Sequence, residues 1–167
     1  MNKETVGRGF RVPGFTTAGI FCGIKTNKQK DLALIFSEEP SVAAGLFTSN
    51  QVVSPTITWC QGILKSSTRF RAIVVNSGNA NACTGPKGME DCKSLSFKLS
   101  QELFVDPKEI LIASTGIIGV PLPKNKIIKS LPVLSKKLSP AGWIRSAEAI
   151  MTTDLTPKFN SSTFHIG

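Results

Sequence analysis

Histidine and tyrosine are nearly missing from this chain: its 167 residues contain a single histidine, His165, and no tyrosine. A Ser-His-Asp mechanism or a His-rich metal centre would have to rest on that one ring, so neither is a viable reading, and no metal ligand set is assigned. Cysteine is also sparse. Cys22, Cys60, Cys83 and Cys92 show neither C-x-x-C spacing nor the density of a disulfide scaffold, which predicts free thiols in a reducing compartment. No apolar run approaches the roughly 20 residues that span a bilayer, and the opening Met-Asn-Lys-Glu-Thr lacks both a signal h-region and an Arg-rich transit character. These features predict a cytoplasmic protein with no membrane partner.

Charge of one sign is in deficit as well. Twenty Lys and Arg stand against 11 Asp and Glu, for a formal charge of +9. No acidic residue falls between Glu109 and Glu148, a stretch holding Lys124, Lys126, Lys129, Lys136 and Lys137. Such a balance raises the possibility of a basic nucleic-acid-binding module. No RRM, KH or zinc-finger signature accompanies it, and no aromatic residues interleave with the lysines as stacking platforms. The charge therefore reads as a solvated basic face, and no nucleic-acid partner is expected.

What is present is a globular composition, 41% hydrophobic and 19% charged, in a chain long enough to bury a core. Phe15 to Ile24, Leu32 to Phe36, Val42 to Phe47, Val52 to Trp59 and Arg69 to Val75 read as strands, bounded by Ser, Asn or Pro and connected mostly antiparallel. The strand ending at Val75 is expected to stop abruptly at Asn76-Ser77-Gly78-Asn79. A helix begins near Pro86, since Met89, Cys92, Leu95, Leu99 and Leu103 step by three or four. Ile110 to Ala113 reads as a short buried strand. Lys124 to Leu131 reads as a brief helix that Pro132 should terminate. Ser139-Pro140 predicts a helix start, with Trp143, Ala147, Ile150 and Met151 on its buried side. The whole is one α+β domain over residues 1–167.

Three segments carry more Gly, Asn and Thr than packing requires. Asn76 to Gly85, with Asn76, Gly78, Asn79 and Asn81, comes after a strand and precedes a helix. Its amides suit local backbone bonds, and equally offer donors and acceptors to a small polar substrate. Ser114-Thr115-Gly116-Ile117-Ile118-Gly119 succeeds the Ile110 strand as a turn able to present backbone N–H groups to an anion, without matching a dinucleotide fingerprint. Ala149 to Asp154 ends the last helix with adjacent Thr152 and Thr153, of which one faces a pocket, while Asp154 caps the next segment or pairs with a lysine.

Together with Gly23-Ile24-Lys25, Asp31 to Ile35 and Ala44 to Thr48, these segments occur in the order found in a known family. The chain resembles the glutamate/ornithine N-acetyltransferases of arginine biosynthesis, the bifunctional arginine biosynthesis proteins, over almost its whole length. The resemblance implies the fold of the self-processing N-terminal-nucleophile acetyltransferases. It implies a precursor cut before a threonine, with this chain as most of the N-terminal (alpha) half and a C-terminal (beta) chain as partner in a heterotetramer of two alpha and two beta chains. The threonine would carry acetyl from N2-acetylornithine to glutamate, releasing ornithine. No cofactor is implied, with acetyl-CoA a possible second acetyl donor.

By position, Thr115 and Gly116 match the family's oxyanion-hole pair. Thr152 matches a substrate-binding threonine, with Thr153 as the fallback, and the Asn76 to Gly85 loop shapes the site. The family continues beyond Ile166-Gly167 with a Lys-Gly-Ser-Gly-Met segment, the cleavage site and the nucleophilic threonine. The resemblance thus implies that this chain lacks the nucleophile and is inactive alone. Leu155 stands where the family often has threonine. A related self-processing amidohydrolase, with water as acceptor, is the nearest alternative.

Overall fold

The computed structural model describes residues 11–163. His165 and Ile166-Gly167 lie outside the described residues. Four strands, β1 (Phe15–Ile20), β2 (Leu32–Ser41), β3 (Phe70–Asn79) and β4 (Ile110–Ile117), form one sheet in the order β1-β2-β3-β4. β1/β2 and β2/β3 are antiparallel, whereas β3 and β4 run parallel. A parallel pair needs a crossover, and the helix α2 (Gly85–Leu103) supplies it. The expectation of mostly antiparallel connections therefore holds for β1 to β3 and gives way at β4.

Alternation along the strands sends Ala18, Leu34, Val74 and Ile112 to one face, where they are 4% exposed or less. On that face lie α2, through Cys92, Leu95 and Leu99, and α3 (Lys124–Lys136), through Ile127, Leu131 and Leu134. Burying each of the Leu and Ile side chains among these contributes about 1.5–3 kcal/mol. The buried Asp91 carboxylate of α2 meets the Lys124 ammonium of α3 at 2.8 Å and ties the two helices together. Lys124 thus departs from the solvated face that the charge pattern predicts.

Several elements differ from the sequence expectation. Residues 42–54 form no strand, and 55–66 form a helix, α1 (Pro55–Ser66), with Ser54 at its N-cap position. The run is rich in Thr, Ile and Trp, which mimics a strand. Its buried residues Thr56, Cys60 and Ile63, however, step by four and three, and Pro55 is pre-set for a first turn. The helix covers the open edge of β4, where Trp59 Nε1 donates to the Ile110 carbonyl (3.2 Å) and the Cys60 thiol to that of Ile112 (3.1 Å).

Pro132 does not end α3, which runs on to Lys136 with the ring half-buried. Burial of Ile127, Leu131 and Leu134 on one face outweighs the lost backbone bond. Ser139-Pro140 starts a turn rather than the next helix. Ser139 pairs with Thr17 through reciprocal N–H to carbonyl bonds of 3.0 Å, and α4 (Trp143–Ile150) begins after Gly142.

The buried side of α4 is Ser146 and Ala149, while Ile150 is 46% exposed. α4 lies on the sheet face opposite α2, so close that a Cβ on Gly19 would stand 2.0 Å from the Arg145 carbonyl oxygen. Small side chains, not large apolar ones, permit that approach.

Candidate active site

β3 and β4 do not stop where their apolar runs stop. β3 continues through Asn76-Ser77-Gly78-Asn79, and β4 through Ser114-Thr115-Gly116-Ile117. The two segments expected to be a loop and a turn are thus paired strand tips. Polar side chains are tolerated there because the ladder satisfies the backbone and the side chains find partners.

At the tips the ladder is irregular. Gly78 pairs with Gly116, and Asn79 opposes both Thr115 and Ile117. Gly116 has φ +134°, and an added Cβ would meet the Gly78 carbonyl carbon at 2.4 Å and the Asn79 nitrogen at 2.5 Å. Only glycine fits that conformation and that gap. At this irregular tip Gly116 is exposed and Thr115 half-buried.

The asparagines stand behind this edge. Asn76, Asn79 and Asn81 are at most 3% exposed. Asn76 Nδ2 donates to the Asn79 carbonyl (2.8 Å), and its Oδ1 accepts from Ser114 Oγ (2.6 Å), linking β3 to β4. Asn79 Nδ2 donates to the carbonyls of Val120 (3.0 Å) and Pro121 (3.3 Å), and its Oδ1 accepts the Asn81 N–H (2.8 Å). Asn81, at φ +47°, donates to the Gly88 carbonyl (3.1 Å) and accepts from Thr84 Oγ1 (2.9 Å). Their polar atoms are taken up by backbone groups and by the Ser114 and Thr84 hydroxyls, so they offer no free amide to a ligand.

A cleft of about 540 Å³ opens at these strand tips. It is lined by Gly78, Thr115, Gly116, Thr152 and Thr153, and on the other side by the β1–β2 loop, including Lys25. The glycine pair, the Thr-Gly turn and the helix-terminal threonines therefore share one depression, although 74 residues separate Gly78 from Thr152 in sequence. Both threonines are exposed and both line the cleft, where the sequence led to the expectation that one would, and the geometry does not rank one above the other. Asp154 pairs with Lys158 at 2.6 Å, one helical turn's spacing away. That contact holds the exposed Asp154 carboxyl below its ordinary range.

Lys25 and Asp31 stand in the sequence only as parts of the ordered motifs, with no site role, yet Lys25 lines the far wall and Asp31 holds it. Asp31, fully buried, accepts the N–H groups of Cys22 (2.6 Å), Ile24 (2.7 Å) and Lys25 (2.9 Å). The signal was a lone acid between a polar turn and a buried strand. Among the described residues, Lys25 is the one charged residue lining the cleft. Burial pulls its ammonium below the ordinary lysine value, with the Asp31 carboxylate opposing.

A larger cleft, about 770 Å³, lies elsewhere beside β1, lined by Lys28, Lys30, Lys129, Lys137 and Arg145. Lys30 reaches Glu148 at 2.6 Å. This cleft holds none of the three segments. Among the described residues no His, Cys, Asp or Glu cluster could hold a metal ion, and no helix is long and apolar enough to cross a membrane.

A mixed sheet whose parallel strand tips carry a Thr-Gly pair beside a cleft defines the class, an α+β scaffold with its cleft at the strand ends. Comparison with known proteins narrows this further: residues 16–167 match the ArgJ family, and the chain belongs to it. It is 46% identical over 153 residues to the arginine biosynthesis bifunctional protein ArgJ of Caldanaerobacter subterraneus subsp. tengcongensis. That alignment covers 88% of this chain and 37% of the relative, so the chain spans little more than a third of the relative's length.

The fold is that of solved ArgJ structures. The ornithine acetyltransferase of Mycobacterium tuberculosis, in complex with ornithine, superposes with a TM-score of 0.84 at 38% identity, covering 89% of this chain and 82% of that one. ArgJ of Bacillus halodurans gives 0.80 at 31%, covering 86% and 75%.

Proposed function

We propose that this chain provides the oxyanion hole and part of the substrate site of an acetyltransferase of arginine biosynthesis. The enzyme moves acetyl from N2-acetylornithine to glutamate. The observation that carries the reading is the placement of the Thr115-Gly116 backbone and Thr152 on one cleft, within a chain of the ArgJ family.

In this reading the nucleophile is an N-terminal threonine on a second chain cut from the same precursor. Its α-amine, with a reference pKa of about 7.7, takes the hydroxyl proton as the oxygen attacks the acetyl carbonyl. Thr115 and Gly116 stabilise the resulting oxyanion, each donor contributing about 3 kcal/mol. The C–N bond breaks, the proton passes to the leaving amine and ornithine departs. The glutamate amine then attacks the acetyl-threonine ester and restores the hydroxyl. Thr152 contacts substrate, with Thr153 as the alternative. No cofactor takes part, and acetyl-CoA is a second possible donor.

Exposed apolar residues favour a partner chain: Val42, Leu46, Ile117 and Ile118 are each 63% exposed or more, a surface that a second chain would bury. Two such two-chain units form the heterotetramer, in the cytoplasm. The 167-residue chain alone is inactive in this reading.

Incubating the two-chain protein with acetyl-labelled N2-acetylornithine and glutamate tests the proposal. Label appearing in N-acetylglutamate supports it. Label appearing only as free acetate would instead establish the amidohydrolase alternative.

A further inference from the structure

We infer that Lys25 is a positioning residue of this site: its ammonium braces the backbone that carries Thr152. The inference rests on the proposed acetyltransferase function for the role of Thr152, and on observed contacts for everything else.

The C-terminal end of α4 leaves carbonyls with no partner within the helix, as every helix end does. Two side chains from other elements reach this region. Ser77 Oγ, on β3, donates to the Ala149 carbonyl at 2.6 Å. Lys25 Nζ donates to the Met151 carbonyl at 2.6 Å and to the Lys30 carbonyl at 2.9 Å. A cation suits this position for two reasons: the helix dipole places partial negative charge there, and a charged donor makes a stronger bond than a neutral one. The Met151 carbonyl belongs to the peptide unit that continues into Thr152, so its position fixes where Thr152 begins.

The brace is anchored at its other end. The Lys25 backbone N–H is one of the three held by the buried Asp31 carboxylate. The Asp31 carbonyl in turn accepts the Ser77 N–H at 2.9 Å. Asp31 therefore fixes the Lys25 main chain on one side and the Ser77 main chain on the other. Both side chains then converge on the exit of α4. Among the described residues, neither the Thr152 nor the Thr153 side chain forms a hydrogen bond to the rest of the chain, and both are exposed. The segment's placement thus falls to the contacts at Ala149 and Met151. With two of its three N–H donors on carbonyls, Lys25 is engaged as a structural tie.

The test compares Lys25→Met, Lys25→Arg and wild type in the two-chain protein by two readouts. One is amide hydrogen exchange over residues 149–151, the hydrogen-bonded last turn of α4 and its cap. The other is the steady-state kinetics of acetyl transfer from N2-acetylornithine. Lys25→Met is expected to speed exchange at Ile150 and Met151 at least about tenfold, leaving β2 and β3 unchanged. It is also expected to raise KM about tenfold with kcat within threefold. Lys25→Arg, which keeps a charged donor, should recover most of both.

A raised KM with unaltered exchange would make Lys25 a substrate contact and overturn the brace. Unaltered exchange with unaltered KM would overturn it equally. Should Lys25→Met not fold, Lys25→Gln, whose shorter side chain falls short of the Met151 carbonyl, is measured in the same way. Absence of acetyl transfer in wild type would defeat the functional reading and leave exchange alone to decide the brace.

Discussion

Gly116 packs against Gly78 with no room for a side chain between the two strands: a Cβ on Gly116 would lie 2.4 Å from the Gly78 carbonyl carbon. The left-handed region, at φ +134°, adds strain for any L side chain. Gly116→Ala must therefore separate β3 from β4 at the cleft. We expect a stability loss of about 2 kcal/mol in urea unfolding and a fall in kcat of at least about 100-fold in the two-chain protein. Wild-type turnover in this variant would remove Gly116 from the proposed oxyanion hole.

Gly19 sets the distance between β1 and α4. Its substitution by alanine places a methyl group 2.0 Å from the Arg145 carbonyl oxygen, a backbone atom that cannot rotate away. Helix α4 must lift, and with it the Ser77 contact to Ala149 and the Lys25 contact to Met151. We expect a loss of about 1–3 kcal/mol and faster amide exchange along residues 143–151. Retained protection there would show that α4 docks independently of β1.

The Lys124–Asp91 pair makes a third prediction. The Asp91 side chain is 2% exposed and that of Lys124 is 26% exposed. Lys124→Met leaves a buried carboxylate with no cation and should cost about 3 kcal/mol. The double variant with Asp91→Leu should recover part of that loss. Urea unfolding of the two single variants and the double variant gives the coupling, and strict additivity would deny that the pair acts as a unit.

The thiols should separate by reactivity. Burial pushes the Cys22 thiol up to about 12, aided by the Asp31 carboxylate. Burial likewise pushes Cys92 up to about 12, and raises Cys60. Cys83 is exposed. Alkylation at pH 8 should therefore modify Cys83 first, with Cys92 slower by at least about 100-fold, as peptide mapping would read.

The same thiols set the sign of a pH effect. The folded chain holds these protons more tightly than the unfolded chain, whose thiols ionise near 8.5. Their contribution to stability is complete below that pH and is lost as pH rises from about 8.5 to about 12. Urea midpoints should fall across that interval, and by less in Cys92→Ala measured against its own value at pH 7. A midpoint independent of pH there would contradict the assigned burial.

The α2 stripe was legible in the sequence because Cys92, Leu95 and Leu99 recur with the helical period and all three are buried. The apolar strands Leu32 to Phe36 and Ile110 to Ala113 were legible for the same reason: local burial leaves a local pattern. The family was legible from ordered motifs, and the ArgJ match over residues 16–167 agrees with it.

Helix α1 was not legible as a helix, because β-branched residues and Trp59 set a strand-like propensity that packing against β4 overrides. Nor was Pro132 legible as an interior residue of α3, since only the buried face of that helix compensates for it. The strand tips at Asn76–Asn79 and Ser114–Ile117 resemble loops in composition. They become strands only because each finds the other across a parallel ladder.

By itself, the sequence determined the apolar periodicities, the scarcity of histidine and the motif order that places the chain in its family. Tertiary structure alone decided that Gly78, Gly116 and Thr152 line one cleft, that the asparagines are buried, and that Lys25 lines the cleft with Asp31 holding its backbone. The physical reason is the range of the forces. Burial and backbone propensity act on neighbours along the chain and leave a readable pattern. A hydrogen bond such as that from Lys25 to Met151, 126 residues apart, exists only once the sheet and helix α4 have brought its two ends together.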